Sequence, residues 1–116
     1  MDVQKWQSQM MRGTLEYCVL LLIRKRPYYG YDLLQTLEAY PLIQTKESTI
    51  YPLLRRLAKE GLLTAKWQAT TEGLPPRKYY ELTKAGNKYL QALSKQWQKL
   101  QLVVKALEGE TQWNNN

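Results

Sequence analysis

Histidine is absent from this 116-residue chain, and cysteine occurs once. The first absence removes the commonest general base and the commonest metal ligand, and a single thiol cannot assemble a zinc cluster. Neither a metal nor a cofactor is expected, and the chain is not expected to be an enzyme. Cys18 lies inside an apolar helical run, cannot form an internal disulfide, and reads as a small core residue in a reducing compartment. Long apolar runs are lacking too. The longest, "YCVLLLI" from Tyr17 to Ile23, stops at Arg24-Lys25-Arg26-Pro27, far too short to span a bilayer. The opening "MDVQKWQSQMMRG" has no apolar core and no small-residue cleavage site, so it does not resemble a signal peptide, and a cytoplasmic location is expected.

Acidic residues are few: ten Asp and Glu stand against seventeen Lys and Arg, a net charge of +7. That balance favours a polyanionic partner, although a merely soluble basic protein has the same composition. The length fits one domain with a small core and no need of disulfide or metal staples.

Along the chain, a first helix is predicted from about Met10 to Arg24, with Met11, Leu15, Cys18, Val19 and Leu22 at core spacing. Leu20, Leu21 and Ile23 make its other side apolar as well, so it needs two partners. Pro27 ends it. A second helix starts near Gly30 with Leu33, Leu34 and Leu37 inward, and Pro41 closes it. Thr45 is the expected N-cap of a third helix, "STIYPLLRRLAKEGLL", and Gly61 is its C-terminal stop. Ile50, Leu53, Leu54 and Leu57 form the stripe that this helix buries.

After Gly61 the period changes from helical to alternating. In "LLTAKWQA", Leu63, Ala65 and Trp67 share one face, as in a half-buried strand. "TTEGLPP" is turn chemistry, and "RKYYEL" alternates again with Tyr80 and Leu82 inward. The fold class expected is mainly α with a small β-hairpin: a winged helix-turn-helix over residues 10–83, a C-terminal dimerisation helix over 84–108 and a flexible tail over 109–116. In such a fold the third helix enters the major groove, and the hairpin, whose tip is expected to carry Arg77 and Lys78, lies along flanking phosphates.

The outward face of the third helix then becomes the candidate reading surface. Ser48, Thr49 and Tyr51 suit phosphate or base contacts near the helix start, while Arg55 and Lys59 suit guanine or phosphate further on. Pro52 lies on the same face beyond the first turn, where a proline leaves the carbonyl four residues earlier unpaired. It either offers a compact apolar surface to the groove or only bends an exposed helix.

The last helix carries Leu90, Leu93, Trp97, Leu100, Val104 and Leu107 at alternating steps of three and four, a heptad seam with no later element to cover it. A second copy of the chain is the expected partner; packing back on the first helix is the alternative, and the two are compatible. Leu15 of the first helix is grouped with that interface. Trp97 is bulky for such a seam and reads either as a dimer-core aromatic or as a platform for a flat ligand.

Three blocks, "YYGYDLLQTLE", "ESTIYPLLRRLAKEGLL" and "PPRKYYELTKAG", resemble in order and spacing the signature blocks of the PadR-type transcriptional regulators. The resemblance implies a homodimeric winged-helix repressor that binds double-stranded DNA at a palindromic operator. Tyr31, Ser48, Thr49, Tyr51 and Arg55 match the family's DNA-contact positions, and Arg77 and Lys78 match the wing. The short C-terminal part is similar to the smaller subfamily, whose multidrug-sensing LmrR-type members carry a tryptophan where Trp97 stands, stacking flat aromatic ligands between subunits. Leu15, Leu93 and Gln101 are then the neighbouring ligand positions. Gln101 replaces an acidic residue of those members, so a preference for cationic compounds does not carry over. The reading from a different class is a winged-helix adaptor that docks an acidic protein instead of DNA.

Overall fold

The computed structural model describes residues 1–71 and 73–109, running through α1 (Val3–Lys25), β1 (Tyr28–Tyr29), α2 (Gly30–Glu38), a 3-10 turn (Pro41–Ile43), α3 (Glu47–Lys59), β2 (Leu63–Gln68), β3 (Arg77–Leu82) and α4 (Lys84–Glu108). Of the tail expected over 109–116, all but Gly109 lies outside the described residues.

The first helix starts seven residues earlier than apolar spacing predicts. The Asp2 carboxylate caps it by accepting the Lys5 N–H at 3.1 Å, and nothing in the polar turns that follow breaks the helix. Those turns are largely exposed along an open groove beside the 3-10 turn and bury no apolar stripe, so they carry no apolar period. Of the stripe expected to face the core only Val19 is fully buried, and it is joined by Leu20 and Ile23 from the other side. Val19, Leu20 and Ile23 are the residues buried in the chain's own core, whereas Met11, Leu15, Cys18 and Leu22 form a half-exposed stripe. Burial pushes the Cys18 thiol above its ordinary value.

Arg26, forced into extended backbone by Pro27, ends α1. Its guanidinium then grips the Asp32 carboxylate through two bonds of 2.6 and 3.1 Å and lies 3.7 Å over the Tyr28 ring, fixing the elbow between α1 and α2. That hydrogen bond raises the Arg26 pKa further above its already high value. Leu33, Leu34 and Leu37 of α2 pack in one core with Ile50, Leu54 and Leu57 of α3, as the spacing predicts, while Leu53 is half-buried. The N-cap of α3 is Lys46, one residue after Thr45, and no side chain caps it. Gly61 ends α3 as expected. At φ +80° it lets the Leu62 N–H bond the Leu57 carbonyl at 2.9 Å and its own N–H bond Ala58 at 3.0 Å, a Schellman closure.

The sheet has three strands, not two, in the order β1-β3-β2, all antiparallel. A two-residue strand has no period to read, so β1 is invisible to alternation. Ala65 pairs with Tyr80 and Trp67 with Lys78. Trp67 keeps the parity expected of it but is 67% exposed, because the hairpin has run past the edge of the core by that point.

The entry to α4 is tied to the exit of α3. Thr83 accepts the Gly86 N–H at 2.9 Å as N-cap, donates its hydroxyl to the Gly61 carbonyl at 2.6 Å, and donates its backbone N–H to Leu62 at 3.1 Å. Gly86 lies so close to this turn that a Cβ there would fall 2.0 Å from the Leu62 carbonyl oxygen. One side of α4 then packs on α1, and the rest projects, giving the molecule extents of 59 × 31 × 20 Å.

Candidate nucleic-acid interface

Helix α3 buries its apolar stripe and leaves Ser48, Thr49, Pro52, Arg55 and Lys59 exposed, as the wheel predicts. Pro52 is the sixth residue of an unbroken helix. The neighbouring arginines have different surroundings. Arg56 bonds Glu60 at 2.9 Å and Glu16 of α1 at 2.5 Å, while Arg55 has no ion pair or hydrogen bond among the described residues. Arg55 is therefore the guanidinium left with all its donors for an incoming group, and Lys59 one turn on is likewise unpaired among the described residues.

Tyr51 is not on that outward face. Its ring packs over Gly30, where an added Cβ would stand 2.1 Å from Cε1, so this glycine gives α2 and α3 their close approach. Tyr51 is half-buried, and desolvation first, then the nearby Glu47 charge, hold its phenol above the usual range. Tyr51 is thus a spacer between α2 and α3. Tyr31, 52% exposed, lines a groove with Thr45, Lys46 and Glu47, which places it beside the start of α3.

Arg77 and Lys78 are not at the hairpin tip. They open β3 at the base of the loop, paired with Gln68 and Trp67, and successive strand residues face opposite sides. Lys78 is half-buried, its ammonium 5.9 Å from the Trp67 ring centre and 5.6 Å from that of Tyr80. The Arg77 guanidinium lies 4.5 Å over Tyr29. Tyr29 in turn stacks near Tyr31 at 6.5 Å and meets Tyr79 edge-on at 5.3 Å. An aromatic chain therefore joins the start of α2 to the base of the wing. Sequence reasoning passed over Tyr29 and Tyr79; alternation along β3 with Tyr80 inward was the signal for Tyr79, while Tyr29 reaches the outer side only through its pairing with Tyr79.

The seam on α4 divides in two. Leu90, only 3% exposed, belongs to the chain's own core and cannot serve as a dimer contact, which corrects the expectation from heptad spacing. Leu93 is half-buried against the same core, and so is Leu15 of α1. Beyond them Trp97, Leu100, Val104 and Leu107 are exposed, at 37, 52, 44 and 83%. Among the described residues Trp97 has one aromatic neighbour, Tyr17 of α1, at 6.2 Å between ring centres, and Gln101 one turn on is exposed.

Among the described residues no cluster of His, Cys, Asp or Glu is arranged to hold a metal, and no helix is long and apolar enough to cross a membrane. Three helices packed on a small antiparallel sheet, with the third helix presenting an unpaired basic face beside a wing, define the winged helix-turn-helix class. The sequence profile of the transcriptional regulator PadR-like family matches residues 19–92. The chain belongs to that family, whose members are transcriptional regulators and not enzymes. A PadR-family regulator from Eggerthella lenta superposes with a TM-score of 0.82 at 37% identity, covering 94% of each chain. A PadR-like regulator from Bacillus cereus does so with a TM-score of 0.78 at 35% identity, covering 89% of this chain and 99% of that one. The negative transcriptional regulator PadR of Bacillus subtilis is 35% identical over 80 residues, which are 66% of this chain and 43% of that protein.

Proposed function

We propose that the chain is a homodimeric, sequence-specific repressor that binds a palindromic operator in double-stranded DNA and is released from it by a flat aromatic small molecule. The observation that carries the DNA reading is the outward face of α3, where Arg55 and Lys59 have no partner among the described residues and Ser48 and Thr49 flank an N-terminus that no side chain caps. Uncapped N–H groups at a helix start favour phosphate, and a free guanidinium favours guanine. A cytoplasmic location follows from that role. Binding selection on random duplexes is expected to recover a palindrome whose affinity falls steeply with salt. Arg55→Ala is expected to cost about 1–3 kcal/mol on the selected site and to relax the preference at one base position. Lys78→Ala is expected to weaken all duplexes alike and make the salt slope shallower by about one. Unchanged affinity in Arg55→Ala would remove α3 as the reader. Binding to an acidic protein, with no preferred duplex sequence, would favour the adaptor.

The dimer reading rests on two incompletely covered apolar surfaces: the exposed distal seam of α4 and the half-exposed stripe of α1, which borders an open groove of about 640 Å³ beside the 3-10 turn. The effector reading rests on Trp97, exposed on that seam with Tyr17 beside it. Across a two-fold axis a flat dye would bury both faces on indole, quenching tryptophan emission at about one dye per dimer. Trp97→Ala is expected to abolish that quenching, and operator DNA to weaken dye binding by the factor by which dye weakens operator binding. Equal quenching in the variant would leave Trp97 as a residue of the dimer core.

A further inference from the structure

Glu16 is the sole acidic residue of α1, set between Leu15 and Tyr17 in an otherwise apolar stretch, with its side chain only 17% exposed. A carboxylate in such surroundings needs partners, and it has two from different helices. One oxygen accepts the Arg56 guanidinium of α3 at 2.5 Å, and the other accepts the Tyr89 hydroxyl of α4 at 2.9 Å. The bond to Glu16 is the main reason that the Arg56 pKa is raised, and for Tyr89 it adds to burial in raising the phenol. The next residue of α1, Tyr17, is the one that meets the Trp97 ring at 6.2 Å. Adjacent residues of α1 therefore hold, respectively, the reading helix and the aromatic on the exposed seam.

We propose that Glu16 is the positioning residue through which the α1–α4 pair sets the placement of the reading helix, so that changes at the dimer seam reach the DNA-binding face. The inference rests on the homodimeric operator-binding reading. A short charge-assisted bond is directional, and the second carboxylate oxygen, committed to Tyr89, fixes the plane in which Arg56 must meet the first. Arg56 lies next to Arg55, so a displacement of this contact moves the base-reading side chain with it. Translation of α1 along α4, as a ligand wedged at Trp97 and Tyr17 would cause, shifts the carboxylate under α3. In a dimer the two reading helices would then move relative to each other, altering the half-site spacing they fit.

The test compares wild type, Glu16→Gln and Tyr89→Phe on the selected palindrome and on versions with one base pair inserted or deleted at its centre. The expected result is that both variants dimerise and keep the base preference within a half-site, but discriminate the altered spacings about five-fold less than wild type. Base preference and dimerisation report the intact fold, whereas spacing discrimination reports the placement of α3. Should Glu16→Gln fail to fold, Tyr89→Phe, which removes a single oxygen, decides alone. Wild-type discrimination retained in the folded variants overturns the role of Glu16 and leaves operator binding intact. A wild-type protein with no palindrome preference overturns the functional reading and this inference with it.

Discussion

Gly86→Ala is expected to lower the free energy of unfolding by about 3 kcal/mol, the upper end of the usual cost of overpacking. The new Cβ would stand 2.0 Å from the Leu62 carbonyl oxygen and 3.1 Å from a Leu82 methyl. The obstacle is backbone, and backbone held from several sides: Leu62 accepts the Thr83 N–H, and Gly61 before it sits at φ +80° and accepts the Thr83 hydroxyl. Relief requires α4 to lift away from the end of α3, breaking the Thr83 cap and exposing Leu90. Gly13→Ala serves as the internal control. Gly13 is exposed in the middle of α1 with nothing within 4 Å of an added Cβ, so alanine there is expected to stabilise by about 0.5–1 kcal/mol. Urea unfolding of both variants at one protein concentration checks the pair, since the midpoint of a dimer depends on concentration. A Gly86→Ala midpoint equal to wild type would mean that α4 accommodates a side chain where the structure leaves it no room.

That contact also shows where legibility in the sequence begins and ends. Gly61 was readable as a stop because a C-cap glycine follows its helix immediately, and the leucines of α2 and the stripe of α3 were readable because burial on one side imposes a period. Gly86 sits in the family-like "LTKAG", but the need for glycine there comes from Leu62, more than twenty residues away, and no local pattern contains that contact. For α1, a helix apolar on nearly every side gives the existence of two packed surfaces without saying which is the chain's own. The structure gives Val19, Leu20 and Ile23 to the monomer. Trp67 had the right parity and the wrong environment, since alternation fixes a face and not how far the core extends along it. Arg77 and Lys78 were readable as wing residues, but the strand register that sets them back to back depends on pairing with Gln68 and Trp67. Of the Arg55-Arg56 pair, the wheel put Arg55 on the outward face, but the partner of Arg56, Glu16 of α1, lies forty residues away and was not read from the sequence.

The division of the α4 seam leads to the second large effect, on assembly. If the proposed dimer forms through this seam, Leu100→Asp is expected to turn it into monomers at concentrations where wild type is dimeric, weakening association by on the order of a hundred-fold or more, as burial of an unpaired charge implies. Leu100 is 52% exposed in the single chain and lies beyond the residues that pack on α1, so an aspartate there meets water in the monomer and costs its fold little. In a two-fold pairing each residue meets the symmetry-related surface, and two carboxylates would be brought into one apolar seam with no cation assigned to them. Leu93→Asp makes the informative contrast. That side chain is half-buried against the monomer core, so its replacement is expected to lower the unfolding midpoint of the chain itself, whatever it does to assembly. Sedimentation velocity separates the two: a monomer with wild-type secondary structure for Leu100→Asp, and a destabilised chain for Leu93→Asp. Operator affinity should fall with the first, because two half-sites one helical turn apart are no longer bound by linked heads, while binding to an isolated half-site should persist. A Leu100→Asp protein that still sediments as a dimer would move the interface off the distal seam and onto the half-exposed stripe of α1, where Met11, Leu15, Cys18 and Leu22 are the side chains to test next.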